Sequence, residues 1–536
     1  MNSFTGTTRL IRLALRRDRF VLAAWLLVLA GLLAMFTAMF VDSLPAQADV
    51  LRETRLMAGN AGFRMLSLAS GASVGAYAMS RTWVTFALLA AVMSVLCVVR
   101  HTRQNEETGR AELLGAGVVG PAAGLTAAVV VALGANVALA PLLGLAMIVG
   151  GQPVAGSLAA GASIAAVGAA FTGVAALTSQ LSRSARGATG LATAALAVAF
   201  LVSGVGNMLG GVDAGGTVAF SAWPSWLSPI GWGYEMRPFG GDHWWLLGLF
   251  AAFTGVLLAT AGRLAVRRDL GAGALPERTG RAEASAALRG PFGLAWRLQR
   301  PAFLGWLVAL AGFGLIFGSV SKSARTMGGS AREMYERTLG TGQMLDAWFT
   351  MLIVMGGIAV SIYVVQALLR MREEEARGRL EPILSSAVGR TRWVLSFVLT
   401  TALGGTVLLL VFATAVALTA GLALGDSSGL LLDLNAAALA ELPAVLVIAG
   451  LVVALFAVLP RRAVPVAWVV LGVAVLLSPL FDLDVSQWLA DASPFAHQKA
   501  PAQEIGMVAV VALLGAAATL VAAGLAWFRR RDLSAG

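Results

Sequence analysis

The chain has 536 residues, 58% of them hydrophobic and only 12% charged. A water-soluble domain carries about 25% charged residues, so this composition excludes an ordinary soluble protein. The net charge of +11 does not point to nucleic acid either, because the basic residues cluster at the ends of apolar runs, as cytoplasmic anchors do.

Runs of roughly 20 apolar residues, each long enough to cross a bilayer as a helix, follow one another along the chain. Before the first lies a basic stretch in which Arg9, Arg12, Arg16 and Arg19 recur at steps of three and four, so they share one helical face. Such a helix suits the headgroup layer, and a plain positive-inside anchor fits the same residues. The first span, 20–41, is longer than a signal-peptide core, so it reads as retained although Ala46-Gln47-Ala48 resembles a cleavage site. A loop of mixed charge, 42–81, leads to a second span at 82–99, which holds the single cysteine, Cys97. A charged island, RQNEETGRAELLGAGVVG from Arg103 to Gly120, precedes a long third span at 122–149. The fourth and fifth spans cover 154–178 and 187–209. The loop 210–242 is rich in Gly, Trp and Pro, with Trp223, Trp226 and Trp232 in it and Trp244 and Trp245 just beyond. Tryptophan there marks an interfacial belt, with a substrate-facing vestibule as the alternative. A sixth span, 243–262, ends this half at Arg267-Arg268-Asp269-Leu270.

The chain then repeats itself. Spans at 302–320, 347–369, 393–424, 442–459, 463–481 and 505–528 form a second set of six, with an outer loop at 321–346. The island REEEARGRLEPILSSAVG, Arg372 to Gly389, superimposes on the first without a gap, pairing Arg103 with Arg372, Glu106 with Glu375, Gly109 with Gly378, Arg110 with Arg379 and Glu112 with Glu381. The starts of the halves also match, Arg16 with Arg297, Arg19 with Arg300 and Trp25 with Trp306, and the second half ends on Arg530-Arg531-Asp532-Leu533. The expected fold is therefore an all-α integral membrane protein of about twelve transmembrane helices. Two six-helix halves, 1–270 and 290–536, are joined by a polar linker, 271–289. An even number of spans gives both halves one orientation, so an axis along the membrane normal can relate them. With alternate loops assigned to one side, that side and the termini hold 29 of the 39 basic residues, which places both termini in the cytoplasm.

Chemistry is conspicuous by its absence. The only lysines, Lys322 and Lys499, follow no GxxxxG stretch, so no phosphate-cradling loop is present and ATP is not hydrolysed by this chain. His101, His243 and His497 lack metal-ligand spacing, and no catalytic constellation stands out. No carboxylate falls convincingly inside a span, although ion-coupled transporters need one. Asn136 reads as a helix-packing hydrogen bonder. The energy for transport must then come from a partner. An ion-coupled twelve-span transporter and a non-transporting scaffold or sensor are the alternatives.

Three stretches carry a family resemblance: EEEARGRLEPILSSAVGRTRW from Glu373, EETGRAELL from Glu106 and LSPIGWGYEMRPFGGDHWW from Leu227. With them the chain resembles ABC-2 type exporter permeases, in particular the double-length actinobacterial kind that exports polyketide or polyether antibiotics such as tetronasin. The resemblance covers essentially the whole chain. It implies a bacterial cytoplasmic-membrane location, six-span halves and an N-terminal interfacial helix in each half, carried here by Arg9, Arg12, Arg16 and Arg19 and by Arg297 and Arg300. It implies a cytoplasmic coupling helix between the second and third spans of each half. Glu106, Gly109, Arg110 and Glu112 would form the first coupling region, and Glu375, Gly378, Arg379 and Glu381 the second. It implies two copies of a separate ATP-binding subunit, which hold the ATP and Mg2+ that this chain does not bind. The substrate would be an amphiphilic small molecule, a drug, an antibiotic or a lipid, on a path whose residues the motifs do not identify.

Overall fold

The computed structural model describes residues 3–533 apart from 270, 275–282, 284, 286–287, 325–343, 426–427, 479–491 and 498–505. Most of the expected linker 271–289 and outer loop 321–346, and Lys499, lie outside the described residues. In a bilayer every backbone N–H and C=O must be satisfied within the protein, which leaves long apolar runs only the helix or the closed barrel. Here they are helices. Among the described residues eleven are long and apolar enough to cross a membrane, and a shorter apolar one joins them. The protein is an all-α integral membrane protein of about twelve spans.

Contacts divide the chain into two compact units, Met1–Thr279 and Gly280–Gly536. The first begins with α1 (Thr7–Ser43), α2 (Gln47–Gly59), α3 (Ala61–Leu66) and α4 (Val74–His101). Two short helices follow, α5 (Arg103–Glu107) and α6 (Arg110–Gly115). Then come α7 (Ala123–Val149), α8 (Val154–Leu181), α9 (Ala185–Leu209), α10 (Pro229–Glu235) and α11 (Leu246–Arg267). The helix α8 is the hub, packed against α4, α7 and α11. Its sequence is mostly Ala, Gly, Ser and Val, and such small side chains let helices approach closely in a membrane. Polar side chains then lock the register: Trp83 of α4 donates to Ser163 of α8 at 2.7 Å, and Asn136 of α7 donates to Ser94 of α4 at 2.8 Å.

The basic N-terminal stretch is not a helix apart from the first span. Both belong to α1, whose 37 residues extend about 55 Å at 1.5 Å per residue. The hydrocarbon core is about 30 Å thick, so the first turns project beyond it. No proline lies anywhere in this helix, and no glycine before Gly31, so nothing in the sequence interrupts it near Arg19. On the far side, the 210–242 loop forms a two-stranded hairpin, β1 (Gly211–Val212) against β2 (Ala219–Phe220). Trp223, Trp226, Trp244 and Trp245 are exposed beside it, while Trp232 is buried against Phe250 and Phe253.

The second unit comprises α12 (Pro291–Ser319), α13 (Ser321–Ala324), α14 (Met344–Ala376), α15 (Leu380–Leu384) and α16 (Arg390–Leu424). It continues with α17 (Ser428–Val458), α18 (Ala463–Leu476) and α19 (Met507–Arg530). Its pairings repeat those of the first: α12 on α16 as α1 on α7, and α17 against α14, α16 and α19 as α8 against α4, α7 and α11. Two expected spans differ. The eleventh, expected over 463–481, is the 14-residue α18, about 21 Å long. The tenth, expected over 442–459, begins at Ser428. Asp433, Asn435, Glu441 and Pro443 depress the hydropathy of its first half, yet leave a continuous helix. Glu441 therefore lies inside a span, which corrects the expectation that none holds a carboxylate.

Candidate functional site

The repeated island has one construction in both units. A long helix ends, a glycine turns the chain, and a short helix follows. In the first unit α4 stops at His101, and Gly109 separates α5 from α6 with φ +69°. In the second, α14 runs to Ala376, and Gly378, with φ +68°, leads to α15. Both turns occupy the left-handed region that only glycine enters without steric cost.

The acidic residue before each turn points inward. Glu106 is about a tenth exposed, and both its oxygens meet Arg268, at 2.6 and 3.0 Å. Arg103, fully buried, adds a bond to Glu106 at 2.8 Å and donates from its other nitrogens to the carbonyls of Ser179 and Gln180 at the end of α8. Arg268 also donates to the Gln180 side chain at 2.6 Å, and the Gly271 N–H reaches Glu106 at 3.2 Å. The second unit repeats the arrangement. Glu375, 2% exposed at its side chain, meets Arg531 through both oxygens at 2.6 and 2.8 Å, with Arg372 at 3.8 Å. Here the Arg531 guanidinium also stands 5.1 Å from the ring centres of Phe456 and Phe528. Each pair is bidentate, the strongest ion-pair geometry available to arginine. Arg268 and Arg531 belong to the two Arg-Arg-Asp-Leu ends. The two repeated motifs of each half are thus joined in space by a carboxylate clamp.

The other face of the island is open. Arg110, Glu112, Arg379, Glu381 and Pro382 are exposed, and Leu113 is 79% exposed. The eight expected coupling residues therefore divide into three kinds. Glu106 and Glu375 hold the island to the body of their own unit. Gly109 and Gly378 set the turn. Arg110, Glu112, Arg379 and Glu381 face outward, with Arg379 paired to Glu374 at 3.2 Å.

The first island is tied down further, by residues that the sequence reading passed over. Asp18, in the basic run of α1, is 2% exposed and lies 2.7 Å from His101 and 3.3 Å from Arg100. Arg17 donates to Asn105 at 2.9 Å, Glu107 accepts the Ala185 N–H at 2.8 Å, and the Gly120 N–H bonds the Thr5 carbonyl at 2.9 Å. The counterpart of Asp18 in the matched start of the second half is Gln299. It is buried too and accepts from Thr401 at 3.2 Å. Arg9, Arg12, Arg16 and Arg19, and Arg297 and Arg300, are exposed along α1 and α12. Among the described residues no group of His, Cys, Asp and Glu could hold a metal ion.

Comparison with known proteins agrees with this architecture. Residues 288–529 match the family model for the C-terminal domain of the multidrug efflux system permease Rv1217c. Over 540 aligned residues the chain is 37% identical to the multidrug efflux system permease protein Rv1217c of Mycobacterium tuberculosis H37Rv. That alignment covers 99% of this chain and 96% of the relative. An identity of this size along both whole lengths places the chain in the family of multidrug efflux system permeases.

Proposed function

We propose that this permease is the membrane-spanning subunit of an ABC-2 type exporter and moves an amphiphilic small molecule, a drug, antibiotic or lipid, outward across the bacterial cytoplasmic membrane. Two copies of a separate ATP-binding subunit supply the energy, one docking on each island, and both termini of this chain lie in the cytoplasm. The observation that carries the reading is the doubled island: a short, outward-facing helix, set by a glycine turn and clamped at its root to the helical body. A helix free at its tip and anchored at its base passes a push to the bundle. Charged residues at such a rim set register and partner choice more than affinity, and Arg110, Glu112, Arg379 and Glu381 stand where they do so. The relative's name, a multidrug efflux system permease, supports an amphiphilic substrate.

Co-expression with candidate ATP-binding subunits tests the reading. A stable complex that exports a dye on ATP addition is the expected result. The doubly reversed variant Glu112→Arg with Glu381→Arg, both on exposed positions, should lose assembly or stimulated ATP hydrolysis while keeping its thermal stability. Export that proceeds with no ATPase and collapses with the proton gradient refutes the proposal in favour of ion coupling.

A further inference from the structure

Glu441 is a buried carboxyl in the middle of a membrane helix, and its Oε1 has no partner among the described residues. It lies 13 residues after the start of α17 and 17 before its end, and it is 2% exposed. Its neighbours along the same buried stripe, Leu434, Ala438, Ala444, Val445 and Ile448, are all apolar. Across from it on α14 stands Gly357. A Cβ at Gly357 would fall 2.4 Å from Glu441 Cγ and 2.7 Å from its Oε1, so the carboxyl lies directly on bare helix backbone. The Gly357 carbonyl, an acceptor that already receives the Ser361 hydroxyl at 2.9 Å, supplies no donor for that oxygen. Glu441 Oε1 is fully buried and has no hydrogen-bond partner among the described residues.

The first half shows how the same place is filled when only packing is at stake. The helices α8 and α17 run out at Leu181-Ser182-Arg183 and Leu459-Pro460-Arg461, and Ser163 and Glu441 each stand 18 residues before the leucine (181 − 163 and 459 − 441). Ser163 is satisfied twice, accepting from Trp83 at 2.7 Å and donating to the Ala160 carbonyl at 2.8 Å. The second half carries an acid there, with an acceptor left open. Acidic side chains at bilayer depth are costly, and they mark substrate or ion pathways.

We infer that Glu441 is a specificity-determining residue of the transport path, whose carboxylate meets the charge of a lipophilic cation when α14 and α17 part. This rests on the transport reading above. The surroundings select the ligand class. A small metal cation needs about six or more oxygen ligands, and among the described residues the site shows one carboxyl group amid Leu, Val, Ile and Ala. A delocalised charge on an apolar body fits that lining, while a compact hydrated ion does not.

The test is isothermal titration of the purified full-length chain with tetraphenylphosphonium, and with triphenylphosphine oxide as the neutral control. Glu441→Gln keeps the shape and removes the ionisable group. The expected result is at least tenfold weaker binding of the cation, with the neutral compound within twofold. Glu441→Ser, the residue of the first half, should behave the same way and serves if the glutamine variant does not fold. No cation binding by the native chain, equal binding by the variants, or an equal loss for both compounds each overturns the inference. The measurement needs no ATPase, so a failure of the exporter reading and a failure of this one are read separately.

Discussion

The carboxylate clamp makes a quantitative prediction, sharpest in the second half. Glu375 and Arg531 share two short bonds, and their side chains are 2% and 11% exposed. Removing one partner of a buried pair strands the other charge and costs about 3–5 kcal/mol, whereas removing both at once spares that cost. Glu375→Ala strands the guanidinium between Phe456 and Phe528. Arg531→Ala strands the carboxylate and also removes the arginine stem from those rings. For a unit of this size 1 kcal/mol shifts a melting temperature by about 2–4 °C, so each single variant should melt about 10 °C lower. The double variant should fall well short of the sum, with a coupling of about 2–3 kcal/mol. Thermal unfolding of the purified protein, followed by tryptophan fluorescence, supplies all three numbers. Single variants within about 2 °C of the native protein, or a strictly additive double, would refute the clamp.

Further outcomes follow from other parts of the molecule. Glu106→Gln should destabilise more than Glu375→Gln in the same unfolding assay, because Glu106 holds Arg268 and Arg103 at 2.6 and 2.8 Å, whereas of the two arginines paired with Glu375, Arg531 lies at 2.6 Å and Arg372 at 3.8 Å. Gly109→Ala and Gly378→Ala should each cost about 1–2 kcal/mol from the left-handed backbone alone, and Gly378→Asn less, since asparagine tolerates that region. Asn136→Leu removes the bond to Ser94 and should cost about 0.6 kcal/mol, the usual worth of an interhelical hydrogen bond in a membrane. The 211–220 hairpin should be acid-sensitive. Backbone N–H groups of Val218, Thr217, Gly215 and Gly216 hold the Asp213 carboxyl below the ordinary carboxylate range. A lowered folded pKa means that the stabilisation is complete above the unfolded value, about 3.9, and is lost as pH falls through the folded one. Limited proteolysis of the loop between about pH 6 and about pH 2 should show this, and Asp213→Asn should cleave equally across that range.

Much of the fold is written in linear order. Hydropathy alone marks eleven of the long helices, because a run that must bury its own backbone polarity has little choice of structure. The duplication is legible as gap-free matches, and so are both motifs that form the clamp. What the order of residues does not reveal is that the motifs touch. Arg268 and Arg531 look like positive-inside anchors, and Glu106 and Glu375 look like part of a solvated charged loop. The recurrence of both motifs in each half, an acidic island after the second span and an Arg-Arg-Asp-Leu end, was the available signal for the contact. Asp18 was hidden for the same reason, a lone acid in a run of arginines that hydropathy counts as surface. Glu441 was missed because it and Pro443 lower the local hydropathy, which shifts the apparent start of the span past the acid.

The clamp also separates two roles that a charged island seen only as sequence runs together. A variant at Glu106 or Glu375 changes the root of the island, so a loss of transport there reports on a disturbed helical body as readily as on a lost partner. A variant at Glu112 or Glu381 changes only the exposed tip and leaves the buried pairs as they are. The two classes should therefore diverge when stability and ATP-driven transport are measured on the same preparations. Root variants should lower both together, and tip variants should lower transport alone. If tip variants transport normally while root variants fail in proportion to their lost stability, the island is a structural joint of the permease and the partner docks elsewhere.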